Sequence, residues 1–512
     1  MISPNWMMIL AIFLVYWVVV SILKKKKILE KYNISTFGPV LMIRTEKGLN
    51  FLDRVAKSRR FWRIFADAGI PAVFAGMIFM FVLIILMDIV LLTNPPPPSD
   101  LTKPQNVLLI PGLNDWIPLE WGIIGLLVTL VVHEFSHGIL CRVEGVRVKS
   151  MGVLLALFPI GGFAEPDEDQ LMDRKRTGRI QRVRIFSAGV ISNFIVAFFS
   201  FALFFYLIGF LSPTVAVMGV YEDSPAYGLV EEMSIIKEIN GVRILTPEDT
   251  EKALENSQVL EITLQKGDEI KTIQLDNLAG PRIIDVHDGF PAKEAGLEKG
   301  MIIYSINGIR TYTITSFIKV MQETRPGDIV EVRVYHNGEF SDYQIRLVKH
   351  PSAETGFMGV TVEDQITGMR IVHSSFVLTW LRSIPSHLSS VQGWLAIISM
   401  PISFRGFGEE TAVFFLPNGF WEDKGNTIFY ILNILYWTGW INFYVGLFNC
   451  LPAIPLDGGR VFHETLSSLL SRRFGERGEE ISMMAGRLLA FIVFSSMAMS
   501  IIIPNLPAIH GG

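Results

Sequence analysis

The octapeptide VVHEFSHG, residues 131–138, lies in the inner part of an apolar run that extends over 119–141. About 20 apolar residues are what a helix needs to cross a bilayer. On a helix His133 and His137 fall one turn apart on one face, so both imidazoles reach one metal ion. Glu134 beside them is placed to take a proton from a water rather than to ligate. With nine histidines in 512 residues, an accidental H-E-x-x-H is expected roughly 0.01 times per chain, so the motif is specific. Two imidazoles and a carboxylate inside a span are costly unless they are paired or hold a metal. Cys141 follows His137 by four residues on the same face. It could serve as a fourth ligand, although catalytic zinc usually keeps that position open.

The surroundings agree with a membrane setting. Half of the chain is apolar and only 18% is charged, a composition that excludes an ordinary soluble enzyme. The net charge of −4 is near neutral, and no basic tract of the kind that tracks nucleic acid occurs. Two cysteines, Cys141 and Cys450, give no disulfide framework. Span-length apolar runs appear near 5–23, 70–93, 119–141, 185–211, 428–449 and 484–503. Lys and Arg number twelve in 24–69, one in 94–118, nine in 142–184 and four in 450–483. The positive-inside bias therefore puts 24–69, 142–184 and 450–483 in the cytoplasm, and 212–427 outside. Residues 376–404 are apolar but broken by Pro385 and Pro401, which reads as an interfacial or re-entrant segment rather than a span.

A third metal ligand has to come from another inner segment. LFNCLPAIPLDGGR, residues 447–460, ends the fifth run on the same side as the two histidines. Pro452 and Pro455 break the helix there, and Gly458-Gly459 let the backbone turn. Asp457 is thus presented by irregular backbone, which membrane depth tolerates only where it lines a cavity. Asp88, the other acid deep in a span, has no such context and is expected to pair with a neighbouring helix.

Outside the membrane the sequence repeats. DSPAYGLVEEMSIIKEINGVRI at 223–244 returns as GFPAKEAGLEKGMIIYSINGIRT at 289–311. Each copy continues into alternating apolar stretches around hairpin signals, Lys266-Gly267-Asp268 and Asn337-Gly338. The pattern resembles PDZ domains, which implies a sheet edge able to take an extended peptide. Glu232 stands where the second copy has Gly300, which puts the turn of the first copy in question. GFMGVTV at 356–362 is a candidate final strand for the second.

Together, H-E-x-x-H-G in one span, N-x-x-P-x-x-P-L-D-G in a later one and PDZ-like repeats between them resemble the site-2 protease family, over roughly 70–505. The resemblance implies one Zn2+ per chain held by His133, His137 and Asp457, with Glu134 as general base and acid. Gly161, Gly162 and Phe163 match the family's Gly-Gly-Phe stretch, Asn449 its substrate-engaging asparagine, and Asn193 a further family position. An edge strand over 158–165 is expected to receive unwound substrate, with Asn193 and Asn449 as side-chain donors or, alternatively, as packing contacts between helices. On this reading the chain is a polytopic α-helical membrane protein with about six transmembrane helices and two extramembrane β-rich PDZ-like domains. Its expected segments are an anchor and basic segment (1–69), membrane core (70–211), PDZ-like domains (212–280 and 281–362), a linker (363–427) and a second core segment (428–512). The implied activity is intramembrane cleavage of single-span, membrane-anchored regulators in a cell membrane. The active site would face the cytoplasm, with PDZ-like domains outside that take peptide C-termini. The bilayer is the expected partner and nucleic acid is not. A catalytically silent scaffold and a membrane zinc protease with a Glu third ligand are the rivals, and no second metal motif of the latter kind occurs.

Overall fold

The computed structural model describes residues 4–46, 49–99, 102–107, 110–156, 158–267 and 269–505. It divides into two compact units. The first comprises Met1–Phe204, Leu395–Gly406 and Asn433–Gly512, and the second Phe205–Trp394 and Phe407–Leu432.

Among the described residues five helices are long and apolar enough to cross a membrane: Arg59–Thr93, Leu119–Glu144, Arg179–Ile208, Thr427–Asn449 and Arg477–Asn505. These cover five of the six expected spans. A helix satisfies each N–H and C=O within the segment, which is the condition lipid would impose on them. The expected first span lies in a further helix, Pro4–Lys25, of which the side chains of residues 4–10 fall outside those described. The helix carrying the two histidines stops at Gly145. That residue takes φ +86° and donates its N–H to the carbonyls of Arg142 and Cys141. Asp88 has its helical partner, since the Ser496 hydroxyl donates to its carboxylate at 2.5 Å. Cys141, 1% exposed, packs with Leu52, Leu140, Ile185 and Val461 in an apolar core.

Part of the basic segment 24–69, whose role sequence left open, joins a four-stranded sheet in the order β1 (Ile34–Phe37), β2 (Val40–Thr45), β3 (Val148–Ala156) and β4 (Phe158–Pro166). β2 pairs with β3 from Leu41 opposite Leu155 to Thr45 opposite Met151, so the sheet joins two loops on either side of a pair of spans. β4 is left as an edge. Arg44 reaches across to Glu165 at 3.3 Å, and Ser150 donates to the same carboxylate. Helix Leu49–Val55 then buries Leu52 against Gly138, where a Cβ would meet Leu52 Cδ1 at 3.1 Å.

The helix Val391–Ser403 has 13 residues. At about 1.5 Å per residue it is too short to cross the bilayer. Past it, the Phe404 carbonyl accepts from the Tyr436 hydroxyl at 2.7 Å.

In the second unit each repeat forms a sheet around its own apolar core. One sheet runs in the order Glu269–Asp276, Val259–Lys266, Ile235–Ile239, Val215–Val220, Met369–His373 and Gln365–Ile366. The other runs Glu339–Arg346, Ile329–His336, Ile302–Ile306, Arg282–Val286 and Val360–Glu363. The 356–362 stretch thus does supply a closing strand to the second repeat, paired with Arg282–Val286. The equivalent strand of the first repeat, Met369–His373, pairs with Val215–Val220 and arrives only after the second repeat is complete. The second repeat is therefore nested within the first, and 365–373 belong to a sheet rather than to the linker expected over 363–427.

The turn in question is also present. Counting back from Asn240 and Asn307, the counterpart of Gly300 is Met233, not Glu232. Both adopt left-handed backbone, at φ +97° for Gly300 and +63° for Met233. The Asn240-Gly241, Asn307-Gly308 and Asn337-Gly338 pairs all have positive φ at both residues, as tight hairpins require. Asp268, in the remaining hairpin signal, lies outside the described residues.

Gln365 secures the junction. It is 1% exposed, donates to the carbonyls of Leu278 and Gly280 at 2.8 and 2.9 Å, and accepts the Gly368 N–H. Gln365→Ala strands these buried groups and is expected to lower the melting temperature of the purified chain by roughly 5–10 °C, measured by thermal unfolding in detergent.

Candidate active site

His133, Glu134 and His137 lie on the helix Leu119–Glu144, and Asp457 is the first residue of the helix Asp457–Phe474. The chain reaches Asp457 by doubling back on itself. A Cβ on Gly458 would lie 2.2 Å from the Cys450 carbonyl oxygen, and one on Gly459 would lie 2.5 Å from the carbonyl carbon of Ala453. No side chain but hydrogen fits at either place, which explains the paired glycines after the acid.

The three candidate ligands converge. Asp457 Oδ2 is 3.2 Å from His133 Nε2 and 3.1 Å from His137 Nε2, and the two nitrogens are 3.2 Å apart. Among the described residues this is the one group of three or more His, Cys, Asp or Glu side chains close enough to share an ion. Cys141 has no part in it.

Hydrogen bonding tests whether a cation belongs there. His137 Nδ1 is 2.7 Å from the Ile185 carbonyl oxygen, which can only accept. The single proton of a neutral imidazole is therefore on Nδ1, and Nε2 presents a lone pair. That lone pair faces a carboxylate oxygen and a second imidazole nitrogen. These groups are held together by a shared proton or by a cation, and the donor set is that of a metal site of two histidines and one carboxylate. The residues fit a divalent ion such as zinc.

Glu134 is held from the sheet. The Ala164 N–H on β4 donates to its Oε2 at 2.9 Å, and a Cβ on Gly162 would lie 2.9 Å from its Cγ. An apolar groove lined by Leu127, Leu130, Val131 and Phe135 and by Gly161, Gly162 and Phe163 runs past this carboxylate. These last three pair with Leu154, Val153 and Gly152 of β3. Within the stretch 158–165 the side chains of residues 158–160 lie outside those described.

The two asparagines differ. Asn449, at the end of the helix Thr427–Asn449, is half-buried and its side chain makes no hydrogen bond among the described residues. Asn193 is fully buried, with its amide nitrogen placed 3.1 Å from His133 Nδ1. Three further contributors escaped sequence reading: the Ala164 N–H, the Ile185 carbonyl and Gly189, whose missing side chain leaves room for the His133 ring. The first two are backbone groups and leave no mark in sequence. Gly189 did leave one, being spaced four residues from both Ile185 and Asn193.

Comparison with known proteins places this geometry in context. A family model described as Peptidase family M50 matches residues 121–493. An uncharacterised protein of Methanocaldococcus jannaschii is 26% identical over 91% of this chain and 87% of its own length. A Vibrio cholerae protein named as a candidate zinc metalloprotease is 23% identical over 74% of this chain and 96% of its own. The PDZ domain of an SdrC-like protein from Listeria monocytogenes is 25% identical over 16% of this chain and 86% of its own, with a TM-score of 0.16.

Gently purified chain is expected to retain a divalent transition metal, and Asp457→Ala to lose it, as measured by elemental analysis. Equal metal in both would remove the third ligand from the assignment.

Proposed function

The chain belongs to peptidase family M50, and from that premise we propose that it is an intramembrane zinc endopeptidase of the site-2 protease type. One zinc ion per chain is held by His133, His137 and Asp457. The observation that carries the reading is the convergence of two imidazole nitrogens and a carboxylate oxygen within 3.2 Å of one another, beside a carboxylate oriented by a strand. A zinc ion bound there supplies Lewis acidity, which eases deprotonation of water near neutral pH and stabilises negative charge on a carbonyl oxygen.

Glu134 takes the proton of the attacking water and later delivers it to the leaving amine nitrogen. The Ala164 N–H bond to Oε2 leaves Oε1 as the proton-accepting oxygen. No hydrogen bond or ion pair ties that oxygen to another described residue, so it is free to work.

The substrates on this reading are single-span, membrane-anchored regulatory proteins cut within or near their spans. A helix in lipid has its carbonyls committed to internal hydrogen bonds and must unwind before attack, at several kcal/mol for each backbone group left unpaired. The free edge of β4 offers replacement partners. Ala164 turns its N–H away from β3, and by the two-residue alternation of a strand Gly162 presents its backbone on the same side. Asn449 adds an uncommitted amide. In the second unit the edge strand Val360–Glu363 offers a peptide C-terminus the same kind of pairing. The charge asymmetry of the loops supports a cytoplasmic active site, with the repeats outside.

Glu134→Gln, purified in detergent beside the wild type, is expected to keep its zinc and lose cleavage of a single-span reporter by about 10²–10⁴-fold. Stoichiometric zinc with undiminished cleavage would disprove the role of this carboxylate. Gly162→Ala inserts a methyl group against Glu134 Cγ and is expected to lower kcat with zinc content unchanged. Unaltered turnover in that variant would show that the contact does not position the base.

A further inference from the structure

We propose that Asn193 is a positioning residue for the metal ligand His133, not a contact for substrate, and that Gly189 and Asn193 together form its cradle. The proposal rests on the zinc reading above. The helix Arg179–Ile208 presents Ile185, Gly189 and Asn193 at four-residue spacing, hence along one stripe. Each position meets the histidine pair. Ile185 gives its carbonyl to His137 Nδ1. Gly189 lies under the His133 ring, where a Cβ would come within 2.5–2.6 Å of Cε1, Nδ1 and Nε2. Asn193 closes on His133 Nδ1 at 3.1 Å. The two helices are held in this register by Ser136 and Ser192, whose hydroxyl oxygens are 2.5 Å apart.

The chemistry determines which way the Asn193 amide must face. For His133 to offer its Nε2 lone pair toward Asp457 and His137, its proton has to sit on Nδ1, and Nδ1–H needs an acceptor. The Asn193 amide is the group in reach. As placed, its Nδ2 faces Nδ1 while its buried Oδ1 has no hydrogen-bond partner. Amide oxygen and nitrogen are interchangeable by a half-turn and are assigned from their partners. Among the described residues no other partner holds this amide, so His133 sets its orientation, and Oδ1 belongs on Nδ1–H. With Nδ2 there instead, His133 would carry its proton on Nε2, pointed into the space the ion needs. Asn193 thus selects the metal-binding tautomer, as the Ile185 carbonyl does for His137. At 0% exposure no solvent water replaces it.

The test uses full-length protein in detergent, with zinc affinity measured by chelator competition and cleavage kinetics at saturating zinc. Asn193→Leu, similar in size and without an acceptor, is expected to weaken zinc binding by roughly 10–100-fold. Asn193→Asp, which keeps an acceptor oxygen, should bind close to wild type, and KM should be unmoved in both. Asn193→Ala replaces the leucine variant if that one fails to fold. Wild-type zinc affinity in Asn193→Leu with a raised KM would overturn the proposal and return Asn193 to the substrate. An Asn193→Asp variant as weak as Asn193→Leu would overturn it in favour of packing alone. Absence of zinc from the wild type itself would refute the metal reading on which the proposal stands, an outcome distinct from the other two.

Discussion

Two imidazole nitrogens and a carboxylate oxygen brought within 3.2 Å of one another are the constraint around which the first unit is arranged. In an apolar surrounding such a polar cluster is costly unless its members pair with one another or hold a cation. The protein therefore has to hold the ligands together by other means. The helix Arg179–Ile208 does this for all three. It contacts His137 through the Ile185 carbonyl and His133 through Gly189 and Asn193. It reaches the helix of Asp457 through Arg182, whose guanidinium donates twice to Glu464 at 2.8 and 2.9 Å and once to the Thr177 carbonyl. Glu464 lies seven residues, two turns, beyond Asp457. The pair is almost wholly buried. A buried ion pair of this kind adds little net stability, because desolvation offsets its attraction, but it tolerates only one geometry. That property is what a ligand helix needs.

The sheet serves Glu134 in a comparable way. A carboxylate on a helix is free to choose among rotamers, and a backbone N–H from β4 restricts that choice. The same strand has an open edge, so one element both aims the base and offers the place where an unwound chain would pair. The basic segment before the second span then acquires a physical role. Its strands β1 and β2 extend the sheet beyond β3, and Leu52 fills the space over Gly138. Arg44 ties β2 to Glu165 at the end of β4. A strand held on only one side and unsupported by this extension would be freer to twist away from Glu134.

How much of this was legible from the sequence depends on whether the signal was local. The candidate ligands His133 and His137 share one helical turn, and Asp457 sits in a short stretch of Pro and Gly that admits few conformations. Both signatures need only nearby residues. The orientation of Glu134 by Ala164 and of His137 by Ile185 uses main-chain groups, which every residue possesses, so spacing cannot single them out. Asn193 was visible as a residue, but its direction was not. A polar side chain on an apolar helix has the same pattern whether it faces a substrate groove or a neighbouring imidazole, and its distance of 3.1 Å from His133 is visible only in the structure. The counterpart of Gly300 was misplaced for a different reason. Met233 is a poor residue for left-handed backbone, and composition pointed away from the position that geometry uses.

The nesting of the repeats was hidden because the strand that closes each sheet is short, four or five residues, and too brief to show internal similarity. The topology follows from strand pairing. Val215–Val220 needs a neighbour on its outer side, and the strand that follows the Glu269–Asp276 strand, Arg282–Val286, is already paired within the second sheet. The chain closes the inner repeat first with Val360–Glu363, then crosses through Asp364 and Gln365 to close the outer one. Asp364 accepts the backbone N–H at the start of the helix Ile314–Gln322, and burial pushes its carboxyl up to about 6. Gln365 faces the other way, to the carbonyls of Leu278 and Gly280. Two successive side chains thus join the closing strand to both repeats. Loss of pairing in the inner repeat would pull directly on the strand that completes the outer one, whereas repeats joined by a simple linker would open independently.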